Sequence, residues 1–295
     1  MLSIKPGPVR VGGVALDNHL ILAAGILGTT GASLARMLSA GAGGVVTKSI
    51  GPVSKEGHPG PCVAVLDNGL LNAMGLPNPS RDFSAEVGAL AQRPVIASIF
   101  GATPEEFATV AGWFAGKVAG FELNLSCPHA EGYGAAIGTD PSLVEACTRA
   151  VSSTGVPTWA KLTPNVTDIG AIGKAAEKGG ATGIVAINTV KAMRISTGLR
   201  RPVLGNRYGG LSGKAVFPIA VRCVYELYET CRIPIIGCGG ISTADNVLEM
   251  LMAGASAVEI GSAVAADVKI FETIKADLYH KDGIDPAELV GCAHG

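Results

Sequence analysis

The sequence predicts an α/β protein: a (β/α)8 TIM barrel with an N-terminal β-hairpin and long inserted loops at the active-site end. Three observations carry this. Eight apolar, strand-like runs alternate with helical stretches along the 295 residues, the pattern of a parallel sheet closed by crossover helices. Hydrophobic residues make up 48% of the chain and charged residues 16%, so a large interior must be buried. Glycine clusters end two consecutive runs late in the chain, where barrels commonly hold anions.

Taken in order, residues 2–22 read as short alternating strands broken at Pro6-Gly7-Pro8 and Gly12-Gly13, a hairpin placed to plug one barrel end. The barrel strands are expected within 19–25, 44–50, 94–101, 120–127, 158–163, 183–190, 234–239 and 257–263. Between them, Thr103-Pro104-Glu105-Glu106 supplies an N-cap, a proline at the first helical position and a capping-box acid; Ser242-Thr243-Ala244-Asp245 repeats the box. Asp140-Pro141 opens another helix, in which Val144, Cys147 and Val151 recur at i, i+3 and i+7, the stripe that packs on a barrel wall. Two connections, 51–75 and 189–213, exceed the usual few residues, and long ordered loops in compact domains tend to be functional. Arg201-Pro202-Val203-Leu204-Gly205-Asn206 reads as a small strand and turn inside the second. No linker or long repeat divides the chain, so 1–295 is expected to form one barrel domain.

Charge and cysteine usage narrow the function. The formal net charge is −1 with both signs scattered, which leaves no electrostatic footprint for nucleic acid and no polybasic patch for a membrane surface. The N-terminus carries Lys5 and Arg10 but no apolar core of signal-peptide length, and no run is long enough to span a bilayer. The seven cysteines are odd in number and show neither CxxC nor Cys/His metal spacing, which argues for reduced thiols, a cytoplasmic location and no bound metal.

Several side chains point to chemistry. The stretch Glu122-Leu123-Asn124-Leu125-Ser126-Cys127-Pro128-His129 alternates like a buried strand, then sets an amide, a hydroxyl and a thiol at a strand mouth before proline ends the pairing. A thiol there can meet a small molecule held above the barrel; the competing reading is a packed core cysteine. Ile235-Ile236-Gly237-Cys238-Gly239-Gly240-Ile241 and Ala257-Val258-Glu259-Ile260-Gly261-Ser262-Ala263 end successive strands in glycine or serine, so a phosphate can approach bare backbone amides. Lys48 and Lys161 lie late in apolar strands, where an ammonium is costly without a carboxylate, water or electron-rich ligand. Asn72, Asn124 and Asn188 fall where loops and strand mouths converge, and their amides match the alternating N–H and C=O edge of a pyrimidine. Taken singly, such lysines snorkel and such asparagines make turns. No HExxH or complete GxGxxG occurs, and around Gly213-Lys214 the P-loop pattern fails because Tyr208 replaces its first glycine and Ala215 its hydroxyl.

With these pieces assembled, the chain resembles the dihydroorotate dehydrogenase family, and specifically its class 1 soluble flavoenzymes. The likeness rests on Ala23-Ala24-Gly25, Thr47-Lys48-Ser49, Leu71-Asn72-Ala73-Met74-Gly75-Leu76-Pro77-Asn78, Asn124-Leu125-Ser126-Cys127-Pro128, Lys161-Leu162-Thr163-Pro164-Asn165, Asn188-Thr189, Gly209-Gly210-Leu211-Ser212-Gly213 and the two glycine loops. The resemblance implies FMN as cofactor, its phosphate on Gly239, Gly240, Gly261 and Ser262, with Ala24, Gly25, Lys48, Ser49, Ser98, Asn124, Lys161, Ile187 and Gly213 around the flavin. It implies that Lys48, Asn72, Ala73, Met74, Gly75, Leu76, Asn124, Asn188 and Thr189 hold orotate, and that Cys127 is the general base for dihydroorotate. The segment 129–138 is then a candidate lid.

Two positions depart from the family pattern: His129 and Ser98 stand where asparagine is common. Cys127-Pro128-His129 and residues 161–168 also resemble the pyrimidine-reducing domain of dihydropyrimidine dehydrogenase, which keeps a uracil-type reductase as a second reading. A third is a lyase or aldolase barrel that uses Lys161 as a Schiff-base amine. Within class 1, Arg201 to Asn206 and the helix from Pro218 are similar to the NAD-linked 1B type. That similarity implies a separate partner subunit carrying FAD and a 2Fe-2S cluster, on a homodimer core or in a heterotetramer.

Overall fold

A computed structural model describes residues 2–125 and 137–295. The chain opens with the expected hairpin. Strands β1 (Val9–Val11) and β2 (Val14–Leu16) pair antiparallel, Val11 opposite Val14, across a Gly12-Gly13 turn with φ of +50° and +84°. Glycine is the residue that takes such angles without steric cost.

The barrel follows. In chain order come β3 (Leu20–Leu22), α1 (Gly31–Ser39), β4 (Gly44–Val46), β5 (Val63–Leu66), β6 (Gly69–Asn72), α2 (Phe83–Gly88), β7 (Val95–Ile99), α3 (Pro104–Phe114), β8 (Gly120–Asn124), α4 (Pro141–Ser152), β9 (Thr158–Leu162) and α5 (Ile169–Lys178). The second half adds β10 (Gly183–Ala186), β11 (Val190–Ala192), β12 (Ile195–Ser196), β13 (Arg201–Pro202), β14 (Gly209–Ser212), α6 (Phe217–Thr230), β15 (Ile235–Cys238), α7 (Ala244–Met252), β16 (Ala255–Ile260), α8 (Ser262–Ala266), α9 (Ile270–Leu278) and α10 (Pro286–Leu289). Strands β3, β4, β7, β8, β9, β10, β15 and β16 form one closed barrel, β16 returning to β3, and every pair in it is parallel. Each lies within its span read from the sequence except β16, which begins two residues early.

The helices start where their caps dictate. The Thr103 hydroxyl accepts the Glu106 N–H, the Glu106 carboxylate accepts the Ala102 N–H at 2.7 Å, and Asp140 caps α4 ahead of Pro141. At α7 the cap is Thr243, one residue later than the sequence motif suggested: its hydroxyl accepts the Asn246 N–H, and the Asn246 carbonyl oxygen accepts the Ser242 N–H. Val144, Cys147 and Val151 are fully buried, as their spacing required.

Two apolar layers result. The larger lies between barrel and helices. The smaller lies inside, where Val11, Val14 and Leu16 of the hairpin meet Ile21, Val46, Ile96, Trp159, Val185, Ile236 and Ala257 of the strands. The Gly12 carbonyl accepts hydrogen bonds from Trp159 Nε1 (3.3 Å) and Thr182 Oγ1 (2.7 Å), so the hairpin plugs the N-terminal end. The two long connections meet each other: β5 and β6 from the first and β11 and β14 from the second form one antiparallel sheet, ordered β11-β14-β6-β5. Residues 201–202 form a small strand against β12. Among the described residues, no helix is long and apolar enough to cross a membrane.

Candidate active site

Because a strand repeats every two residues, each barrel strand carries a second inward side chain one step beyond the apolar layer. The pairs are Val46 then Lys48, Ile96 then Ser98, Trp159 then Lys161, Ile236 then Cys238, and Ala257 then Glu259. In β8 the same face brings Glu122 and then Asn124, because Phe121 and Leu123 belong to the outer layer. The inside of the barrel therefore changes from apolar to polar within about one residue pair of its C-terminal end. There it opens into a cavity of about 440 Å³, within the size range of small-molecule sites.

Most residues expected at the site line this cavity. Ala24 and Gly25 follow β3, Lys48 and Ser49 follow β4, Asn124 ends β8, Lys161 lies in β9, and Ile187, Asn188 and Thr189 follow β10. Asn72, Met74, Gly75 and Leu76 reach it from the first long connection, and Gly239, Gly240, Gly261 and Ser262 complete the wall. Three expected residues stand back from it. Ala73 is buried in an apolar cluster with Leu71 and Leu204. Ser98 is fully buried behind Ser49, Oγ to Oγ 2.9 Å. Gly213 backs the glycine loop, its carbonyl oxygen 2.7 Å from where a Gly240 Cβ would sit. Cys127, His129 and residues 129–136 of the candidate lid lie outside the described residues.

The glycine loop fits an anion. Gly239 and Gly240 have φ of +130° and +75°, and a Cβ at either would strike Ala220 or the Gly213 carbonyl. Side chains are thus excluded and backbone faces the cavity, the arrangement that lets amides approach a phosphate. The amides form a connected rim. Asn124 donates to Ser49 Oγ at 3.1 Å, Asn188 donates to Asn124 Oδ1 at 3.3 Å, and the Thr189 N–H donates to Asn188 Oδ1 at 2.7 Å. Asn72 is oriented by donating to the Gly210 carbonyl at 3.3 Å. Asn78, present in the same sequence stretch, is instead a scaffold: it donates to the Leu76 carbonyl and accepts from the Gly51 and Ser80 N–H groups. That fixes the turn in which Leu76 holds φ +57°.

The charged floor of the cavity was only half visible in the sequence. Lys161 Nζ lies 2.5 Å from Glu259 Oε2 and 3.4 Å from Glu122 Oε2, and both glutamates are fully buried. Burial pushes the Glu122 carboxyl well above its usual range and the facing Glu259 adds to this, while Lys161 only partly opposes them. For Lys161, burial alone would lower the ammonium; the facing groups, with the Glu259 carboxylate nearest at 2.5 Å, outweigh it and hold the lysine charged. Burial pushes the Cys238 thiol up to about 12, so it stays protonated. A lysine locked as an ammonium is no amine nucleophile, which removes the ground for a Schiff-base aldolase. Among the described residues no group of acids, histidines and cysteines could hold a metal ion.

A closed parallel barrel whose C-terminal mouth joins glycine loops, an amide rim and a buried cation around one cavity has the form of a small-molecule barrel enzyme. The chain belongs to the dihydroorotate dehydrogenase family, whose family model matches residues 8–281. It is 58% identical to the dihydroorotate dehydrogenase B (NAD(+)) catalytic subunit of Methanosarcina mazei, covering 96% of this chain and 93% of that protein. It is 49% identical to the protein of the same description from Pyrococcus horikoshii, covering 90% of this chain and 89% of that protein. The crystal structure of DHODH from Eimeria tenella in complex with ferulenol superposes with a TM-score of 0.83 at 19% identity, over 97% of this chain and 88% of that one. At that identity, the superposition speaks for the fold.

Proposed function

We propose that this chain oxidises dihydroorotate to orotate as one FMN-binding barrel domain, residues 1–295. One observation carries the reading: glycine loops, buried lysine and three asparagines, from distant parts of the chain, meet at a single cavity. FMN, when bound, supplies a hydride acceptor for substrate C6. Gly239, Gly240, Gly261 and Ser262 would hold its phosphate. Ala24, Gly25, Ser49 and Ile187 would border its ring system, with Ser98 and Gly213 supporting from behind. Lys161 would place positive charge where negative charge arrives, and such preorganised charge is often the largest catalytic contribution.

The amide rim of Asn72, Asn124 and Asn188, with Thr189, would orient the pyrimidine edge, and Lys48 would meet the substrate carboxylate. Cys127 is the proposed general base that takes the proton from C5; its thiol suits near-neutral proton transfer better than a serine without an adjacent base. Cys127→Ser should slow substrate oxidation by about 10²–10⁴-fold. We also propose cytoplasmic residence and a partner subunit with FAD and a 2Fe-2S cluster that passes electrons to NAD. The relatives' designation as a catalytic subunit supports the partner.

The test is an absorption spectrum of the purified protein followed by anaerobic mixing. A yellow protein bleached by dihydroorotate, unaffected by dihydrouracil and slow to reduce NAD alone is expected. A colourless protein, or one bleached by dihydrouracil only, overturns the reading.

A further inference from the structure

Three ionisable side chains from three strands, Glu122 of β8, Lys161 of β9 and Glu259 of β16, converge inside the barrel beneath the cavity. Side-chain exposure is 7% for Lys161 and nil for both glutamates. Counting charges poses a problem. Two carboxylates against one ammonium leave a net negative charge sealed where water cannot solvate it, a costly arrangement that proteins avoid by protonation. The hydrogen bonds show the same excess of acceptors: Oε1 of Glu122 and Oε1 of Glu259 are both buried without a partner.

We propose that Glu122 and Glu259 hold one proton in common, so that with Lys161 they form a charge-neutral cluster that positions the ammonium and offsets its charge toward the cavity. The distances decide where the proton resides. Glu259, 2.5 Å from Nζ, makes the ion pair; Glu122, at 3.4 Å, keeps the proton. Burial and the facing Glu259 both favour the acid form at Glu122.

Among the described residues, Lys161 is the cation that pairs with the two glutamates. Cys238 of β15 stays a thiol, and Ser98 of β7 brings only a hydroxyl. The inward residues Ala23 after β3 and Ile187 after β10 are apolar, and Lys48 after β4 stands at the cavity wall. Glu122 and Glu259 are positioning residues that act through Lys161.

The two carboxyls are then equivalent in effect. Removing Glu259 lets Glu122 ionise, and removing Glu122 leaves the Glu259–Lys161 pair, so the cluster stays neutral either way; removing both strands a bare ammonium. Its consequence for flavin rests on the FMN reading, but the shared proton does not, and the experiment separates them.

Infrared spectra of flavin-free protein at pH 8 should show the C=O stretch of a protonated carboxylic acid, lost in both Glu122→Gln and Glu259→Gln. A wild type without the band, or a band that survives both substitutions, overturns the proposal whether or not flavin binds. In FMN-loaded protein, each single variant should titrate at the wild-type midpoint potential and the double variant at a higher one. Single variants that each raise the potential, with effects that add in the double variant, overturn it as well. Should the double variant fail to fold, the infrared comparison of the single variants still decides.

Discussion

At the N-terminal end of the barrel, Trp159 is fully buried against the hairpin and donates to Gly12; two residues on, along the same face of the same strand, Lys161 makes the floor of the cavity. Val46 and Lys48, Ile236 and Cys238, and Ala257 and Glu259 repeat the change on other strands. The apolar end is filled by its plug. The polar end keeps a cavity, ionisable groups in a low-dielectric setting and backbone bare enough for an anion. One set of strands thus separates folding energy from chemistry, and the separation distance is one inward residue. This explains how the second layer can hold buried charge: the first layer and the outer helices supply the stability that the charge does not.

Substitutions at the two ends should therefore fail in different ways. Between the two ends, the largest effect is expected from Lys161→Met, which should slow reduction of bound flavin by dihydroorotate about 10²–10³-fold in stopped-flow mixing. A rate within a few-fold of wild type would break the comparison at its polar end. Trp159→Ala should instead cost about 3–5 kcal/mol in urea unfolding, while the folded protein still takes up FMN with an unchanged spectrum. Gly12→Ala should cost less, about 1–3 kcal/mol. Its new Cβ would sit 2.5 Å from Trp159 Nε1 and 2.6 Å from the Thr182 carbonyl, at a φ of +50°, so the hairpin must shift outward. Loss of FMN affinity without loss of stability in either apolar-end variant would show the two ends to be coupled.

The sequence reveals the apolar end almost completely, because apolar runs and capped helices repeat locally and each needs only its neighbours to be recognised. At the polar end Lys48 and Lys161 stand out as charges in apolar strands, and Gly239-Gly240 as a run no strand needs. Glu122 and Glu259 satisfy the same rule but are masked by Phe121, Leu123, Val258 and Ile260, which read as ordinary strand residues. The alternation that turns Asn124 inward also turns Glu122 inward, and that was the available signal. Depth is harder to read: nothing local shows that Ser98 would lie behind Ser49, since β4 and β7 pair only across the long connection that holds β5, β6 and α2. The pairing of β6 with β14, which roofs the cavity with both long connections, is likewise invisible because the partners are far apart in sequence.

The smallest effect sharpens the comparison through pH. His19, beside β3 at the apolar end, is buried and lies 3.3 Å from the Tyr279 hydroxyl. Burial holds its pKa below the ordinary 6.5, and Asp285 only partly offsets this. As pH falls past 6.5 the unfolded chain binds a proton that the folded chain refuses, so stability falls with acidification, by at most about 1.4 kcal/mol per pH unit. Glu122 at the polar end has the opposite sign: its pKa is raised from 4.5, so the folded chain keeps a proton that the unfolded chain has released, and stability falls as pH rises above 4.5. Urea midpoints from pH 5 to 8 should accordingly lose their acid-side decline in His19→Gln and their alkaline-side decline in Glu122→Gln. If one substitution flattened both limbs, the titrations of the two ends would be linked, and the barrel interior would act as one electrostatic unit rather than two.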